Sequence, residues 1–246
     1  MGFTKTYATA EAALRAQAHH AWLDRLGVPV PRLHGRRGRH RLDLLFEALP
    51  DRHIGPGDLP ETARLLGQAH AAAYRDSLHR ARLDQPFPLP GVGTLEPFTT
   101  PRIARVQKLL DAGTVPEPAF TSDQAARVIT TAAGEPAAFY KDANPRNFLI
   151  TQAGIAVIDF DDLTLAPFGY DLAKLILTTA MTHGPLPGPL TAATLNSYNQ
   201  AVPHPCSADR LNDWLEIHHI LTSPYLGRHG YIHGWHTLRP TETRTR

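Results

Sequence analysis

The chain has 246 residues, 42% of them hydrophobic, and a formal net charge of +2, enough apolar material for a substantial core in one or two domains. The weak net charge argues against a nucleic-acid-binding protein, and Cys206, the only cysteine, excludes an intrachain disulfide and a cysteine-built zinc site. No apolar run reaches membrane-span length and Met1-Gly-Phe-Thr-Lys5 has no signal-peptide pattern, so a cytoplasmic protein without a membrane anchor is expected.

In chain order, Phe3-Thr-Lys-Thr-Tyr7 has the β-branched and aromatic content of a short strand. Thr9 stands where an N-cap belongs, and Ala10–Leu26 reads as a helix with Leu14, Ala18, Trp22 and Leu26 on one face, ended by Gly27. Val28-Pro-Val-Pro is extended. Arg36-Arg-Gly-Arg-His-Arg41 is a basic turn, either a solvated hairpin tip or an anion contact. A strand over Leu42–Leu49 and a long helix over Leu59–Leu83 follow, the helix carrying Ala63, Leu66, Ala69, His70 and Ala73 inward. His70 on that face reads as a hydrogen-bonded core histidine. Gln85–Pro101 is proline-rich and reads as a loop, Arg102–Ala112 as a helix, and Ser122–Ala133 as another, capped by Ser122 with Gln124 close behind.

The stretch Phe139–Asp161 organises the rest. Two apolar runs, Phe148–Thr151 and Ile155–Phe160, flank Gly154 and predict a hairpin. Asp142 and Asn147 fall on the loop entering it and Asp159 at its exit, so three oxygen-bearing side chains can converge. Magnesium takes few oxygen ligands when nucleotide phosphates supply the others, and an Asn amide with an Asp carboxylate meets that need. A carboxylate standing apart from the metal can orient a hydroxyl and take its proton. Helices are then predicted over Leu172–Met181, Leu190–Val202 and Ser207–Leu221. The segment with His218, His219, His229, His233 and His236 reads as packing, as substrate lining or as a metal site, although adjacent His218 and His219 point to different helix faces. Pro240–Arg246 is a polar tail.

Tyr140-Lys141-Asp142, then Asn147, then Asp159-Phe160-Asp161 resembles the catalytic loop and metal-binding triplet of the protein-kinase-like fold, as found in aminoglycoside phosphotransferases, choline kinases and related small-molecule kinases. Pro167-Phe-Gly-Tyr-Asp-Leu-Ala-Lys-Leu is similar to the segment in which an aspartate, here Asp171, opens a helix and braces that loop. Position 140 departs, since small-molecule members usually carry histidine there. The resemblance implies an α+β, two-lobed fold with a reduced N-terminal β lobe over 1–49 and a mostly helical C-terminal lobe over 50–246. It implies ATP or GTP with magnesium as cofactors, and a small-molecule hydroxyl acceptor. It places the base at Asp142, metal ligands at Asn147 and Asp159, and a metal-linked water or a plain loop acid at Asp161. Lys5 matches the phosphate-gripping lysine, and Phe46, Glu47 and Ala48 match the hinge that holds the adenine edge through backbone groups. The helix glutamate that pairs with that lysine falls near Gln17, with Glu11 the acid in the same helix.

Only four residues precede Lys5, where relatives carry two strands and a phosphate-covering loop. An upstream continuation, a shortened kinase and a non-catalytic nucleotide-binding or scaffold relative all remain open, as does a nucleic-acid-binding module built on Arg36–Arg41. Because Leu190–Arg246 holds more Arg and His than Asp and Glu, a neutral or anionic acceptor, or a hydroxyl-bearing antibiotic, fits better than a polycation.

Overall fold

Strand β1 (Gly2–Thr6) pairs antiparallel with β3 (Asp43–Glu47), whose other edge takes β2 (Leu33–Arg37), giving the sheet order β1-β3-β2. The structure, a computed structural model, describes residues 2–38, 42–50 and 52–239. Central β3 alternates as a half-buried strand must, with Leu44 and Phe46 inward. Arg36 and Arg37 close β2, a strand the charge run concealed; Arg39, His40 and Arg41 lie outside the described residues, as does the tail 240–246.

Helix α1 (Ala10–Arg25) starts at the expected cap, Thr9 Oγ1 accepting from the Ala12 N–H at 3.1 Å. Its buried residues are Ala13, Ala16, His19, His20, Trp22 and Leu23, and Leu14 is 51% exposed. The inward stripe is therefore rotated from the expected one. His20 packs on Phe46 and Phe160 and Trp22 on Phe139, so the helix is covered from two sides, and small alanines permit the approach.

Helix α2 (Leu59–Asp76) buries Ala63, Leu66, Ala69, His70 and Ala73. It stops short of Leu83 because Ser77 leaves helical geometry (φ −154°) and a short 3₁₀ turn follows over Leu78–Arg80. The proline-rich stretch holds a small hairpin, β4 (Phe87–Leu89) with β5 (Gly93–Leu95), and α3 (Thr99–Asp111) begins three residues before Arg102. For α4 (Ser122–Thr131) the cap is Thr121, which forms a reciprocal capping box with Gln124. The predicted hairpin forms as β7 (Phe148–Thr151) with β8 (Gly154–Val157), beside a second ribbon of β6 (Ala137–Tyr140) with β9 (Thr164–Pro167). Helices α5 (Tyr170–His183), α6 (Gly188–Asn199), α7 (Ala208–Thr222) and α8 (Trp235–Leu238) complete the body. A Cβ on Gly67 would lie 2.9 Å from the Tyr198 carbonyl oxygen, which is why α2 carries glycine where α6 crosses it. Among the described residues no helix is long and apolar enough to cross a membrane.

His70 is fully buried and its Nδ1 lies 2.8 Å from the Tyr198 hydroxyl. Burial drives its pKa down to about 3 and that of His218 well below the ordinary value, and lowers those of His19 and His219. Below the ordinary 6.5 the unfolded chain binds protons that these folded sites refuse, so stability falls as pH falls from there toward the folded values. Asp171 works the other way, its carboxyl raised to about 6 by burial, but it is one group against four. The melting temperature should therefore drop by several degrees between about pH 7.5 and about pH 5. A flat profile in a thermal denaturation series would contradict the buried neutral histidines.

Candidate active site

The site begins with a buried carboxylate. Asp171, in the first turn of α5 and wholly buried, accepts the Lys141 N–H at 3.1 Å and the Ala143 N–H at 2.7 Å. The turn before α5 can be made only with glycine at 169: its φ is +85°, and a Cβ would come 2.4 Å from Cys206 Sγ. Pinned on both sides, Asp142 adopts φ +62°; Asp159 adopts +58°. Such conformations are uncommon outside glycine and collect at functional sites. Asn147 Nδ2 donates to the Asp142 carbonyl at 2.9 Å, and the Ile158 N–H donates to the Asn147 carbonyl at 3.0 Å. The loop and the hairpin exit are thereby tied together.

A cavity of about 680 Å³ is lined by Lys5, Tyr7, Phe46, Glu47, Ala48, Asn147, Asp159 and Asp161 among others. The structure thus brings together the lysine, the segment between the sheet and the helical body, and the loop and hairpin acids. Asp142 stands at its border, joined to it through Asn147. Lys5 is paired, but not with Glu11 or Gln17. Its Nζ lies 2.8 Å from Asp159 Oδ1 and 2.6 Å from Asp161 Oδ2, and Asp161 also accepts from the Tyr7 hydroxyl at 3.0 Å. Burial pulls the Lys5 pKa down, but the two carboxylates outweigh it and the net shift is upward. The donor set suits a hard cation that shares nucleotide phosphates: two carboxylates, and an Asn147 amide oxygen left available because its Nδ2 is engaged. Among the described residues no three His, Cys, Asp or Glu form a metal cage by themselves. His218 and His219 diverge, to the Tyr170 carbonyl at 2.9 Å and the Pro116 carbonyl at 2.8 Å.

Asp142 has partners that the motif alone did not reveal. Its Oδ1 accepts from the Tyr140 hydroxyl at 2.7 Å and lies 3.2 Å from Lys174 Nζ, while Asn144 Nδ2 reaches Oδ2 only at 3.4 Å. Half of its side chain remains exposed. Burial raises the carboxyl pKa, but Lys174 and the Tyr140 hydroxyl reverse this and hold it below the ordinary range. Lys174 was legible in principle, since it follows Asp171 by three positions and so shares its helix face. Beneath the loop Lys141 is buried, with Nζ 4.6 Å from the Phe148 ring and no hydrogen-bond partner among the described residues. Burial lowers its pKa, against the pull of Asp171 and Asp142.

A family model described as "Phosphotransferase enzyme family" matches residues 3–207. Among solved structures, an aminoglycoside-3'-phosphotransferase of type VIII is similar at TM-score 0.53 and 20% identity over 89% of this chain and 84% of its own. Amicoumacin kinase, in complex with AMP-PNP, Ca2+ and Ami, is similar at TM-score 0.64 and 14% identity over 89% of this chain and 72% of its own. Choline kinase from Streptococcus pneumoniae is similar at TM-score 0.54 and 13% identity over 90% and 76%. These likenesses carry the fold: two-lobed, α+β and protein-kinase-like, with a small N-terminal β lobe and a mostly helical remainder. The comparison with curated protein sequences returns no match.

Proposed function

The chain belongs to the phosphotransferase enzyme family, and from that premise we propose that it transfers the γ-phosphoryl group of ATP, or GTP, to a hydroxyl of a small molecule with magnesium as cofactor. The observation that carries this reading is the single cavity shared by Lys5, the 46–48 segment, Asn147 and Asp159, with Asp142 at its edge. In it, 1–49 forms the lobe over the nucleotide and 50–246 the lobe that holds acceptor and loop, in a cytoplasmic enzyme. Backbone groups of Phe46, Glu47 and Ala48 hold the base edge, and Lys5 offsets phosphate charge. Asn147 and Asp159 would hold the metal, with Asp161 beside them, and its charge would offset that of the phosphates.

Asp142 accepts a hydrogen bond from the acceptor hydroxyl at Oδ2, the oxygen that Tyr140 and Lys174 leave open. As the hydroxyl oxygen bonds to the γ-phosphorus, the bond to the bridging oxygen breaks, the nucleoside diphosphate leaves, and the hydroxyl proton passes to Asp142. Tyr140 and Lys174 keep that carboxyl ionised beforehand.

Calorimetric titration with magnesium-ATP, followed by ATP consumption across a panel of hydroxylated compounds, tests the reading. Binding without turnover on any acceptor would favour a non-catalytic relative. Asp159→Asn should weaken magnesium-nucleotide binding by about tenfold or more, and should do so much less when magnesium is withheld. Equal weakening in both titrations would remove Asp159 from the metal.

A further inference from the structure

We infer that the phosphoryl acceptor is an anion, a hydroxyl compound bearing a carboxylate or phosphate that Arg102 and Arg146 read beside Asp142; this rests on the phosphotransfer reading above. The carboxylates near Asp142 are already engaged. Lys174 already occupies its Oδ1, Asp171 is buried on two backbone N–H groups, and Asp159 and Asp161 are paired with Lys5 on the nucleotide side. Among the described residues no other carboxylate bonds to Tyr140 or Lys174, the groups that hold Asp142.

Arg102, from α3, is fixed without a carboxylate partner among the described residues. Its guanidinium lies 4.7, 5.1 and 5.2 Å from the rings of Phe98, Tyr140 and Tyr170. Its hydrogen bonds go to neutral oxygens, the Phe98 carbonyl at 3.3 Å and Thr164 Oγ1 at 2.8 Å. Tyr140, one of those rings, is the residue whose hydroxyl holds the base. Arg146 lies on the loop itself, four residues past Asp142, and among the described residues its guanidinium is likewise hydrogen-bonded only to a neutral group. Its guanidinium lies 4.8 Å from the Tyr231 ring and donates to the Tyr231 hydroxyl at 3.2 Å, while a second terminal nitrogen, Nη1, is buried with no partner among the described residues.

Both arginines are half-buried residues whose guanidiniums are already ordered by aromatic walls, so little side-chain freedom is lost when they clamp a ligand. The planar fork matches carboxylate or phosphate in two parallel bonds. A polycationic acceptor would instead face three cations, Arg102, Arg146 and Lys174, with only an already paired carboxylate to offset them.

The test uses four probes on the full chain, with and without magnesium-AMP-PNP: gluconate, glucose 6-phosphate, sorbitol and glucosamine. Gluconate and glucose 6-phosphate separate the two anion chemistries; sorbitol is the neutral control and glucosamine the cationic one. At least one anion should bind about tenfold more tightly than sorbitol, with glucosamine weakest. Arg102→Gln with Arg146→Gln should erase that preference while nucleotide affinity stays as it was. Arg102→Lys, which retains charge and loses the fork, should reduce it and guards against a folding defect in the double variant. Absence of a preference for either anion, or its survival in the double variant, overturns the inference. Equal affinity for all probes with intact nucleotide binding removes this inference alone; loss of nucleotide binding with the anion preference retained removes the phosphotransfer reading alone.

Discussion

Asp142→Asn is expected to lower phosphoryl transfer by about 10²–10⁴-fold, the range a positioned general base contributes, and to leave magnesium-nucleotide affinity unchanged. Asn is the informative replacement because it tolerates the left-handed backbone (φ +62°) that this position adopts. Its amide oxygen can still accept from Tyr140 and Lys174, so the loop is preserved and the capacity to take a proton is lost. Nucleotide affinity should persist because Asp142 does not line the cavity that holds Lys5, Asn147 and Asp159. The pH profile adds a second check. Lys174 and Tyr140 depress the Asp142 carboxyl against burial, so the rate should be level at neutral pH and fall only as pH drops through that lowered value. Lys174→Met should move this acid limb to higher pH, and Lys174→Arg should restore it. Full transfer by Asp142→Asn on a competent acceptor, scored as product formed alongside a nucleotide titration, would take the base role away from Asp142.

What could be read in the sequence, and what could not, divides along local and long-range physics. Asp142, Asn147 and Asp159 were visible because loop, hairpin and exit are contiguous, and local apolar runs with a glycine turn define them. Lys5 was placed before α1, but the sequence offered it no paired acid on that helix, only Gln17 at the expected position, and its partners lie elsewhere. Asp159 and Asp161 reach it across 154 and 156 positions of chain, a distance at which a charge pair leaves no periodicity. Strand β9 was missed for the same reason, since its partners, β6 and Glu96, lie far back in the chain. The hairpin β4–β5 was hidden by prolines, which short strands tolerate at edges. The break at Ser77 shows the opposite error: an apolar stripe ran on past the point where the backbone turned. At the site, the motif's aspartate was recognised but not the two groups that tune it. Tyr140 reads in the sequence as a departure from histidine, and its hydroxyl holds Asp142 at 2.7 Å.

Asp171→Ala should be the most damaging single change to stability. The carboxylate is wholly buried, it satisfies two backbone N–H groups, and it is the largest favourable charge near the Lys141 ammonium, which has no hydrogen bond of its own. Deleting it leaves two orphaned donors and a buried cation without its counter-charge. The two orphaned backbone donors alone cost about 1–3 kcal/mol each, much of the roughly 5–15 kcal/mol that holds an ordinary domain folded. Denaturant titration should show that loss directly. Asp171→Asn, which retains one acceptor oxygen, should lose less. Adding Lys141→Met to Asp171→Ala should recover part of the stability, because removing both charges spares the penalty of leaving one alone. It should not recover transfer, since the backbone N–H groups at positions 141 and 143 would still lack the brace that turns Asp142 toward the acceptor. Recovery of both together would mean that Asp171 serves only to balance Lys141; stability without transfer is the outcome a loop brace requires.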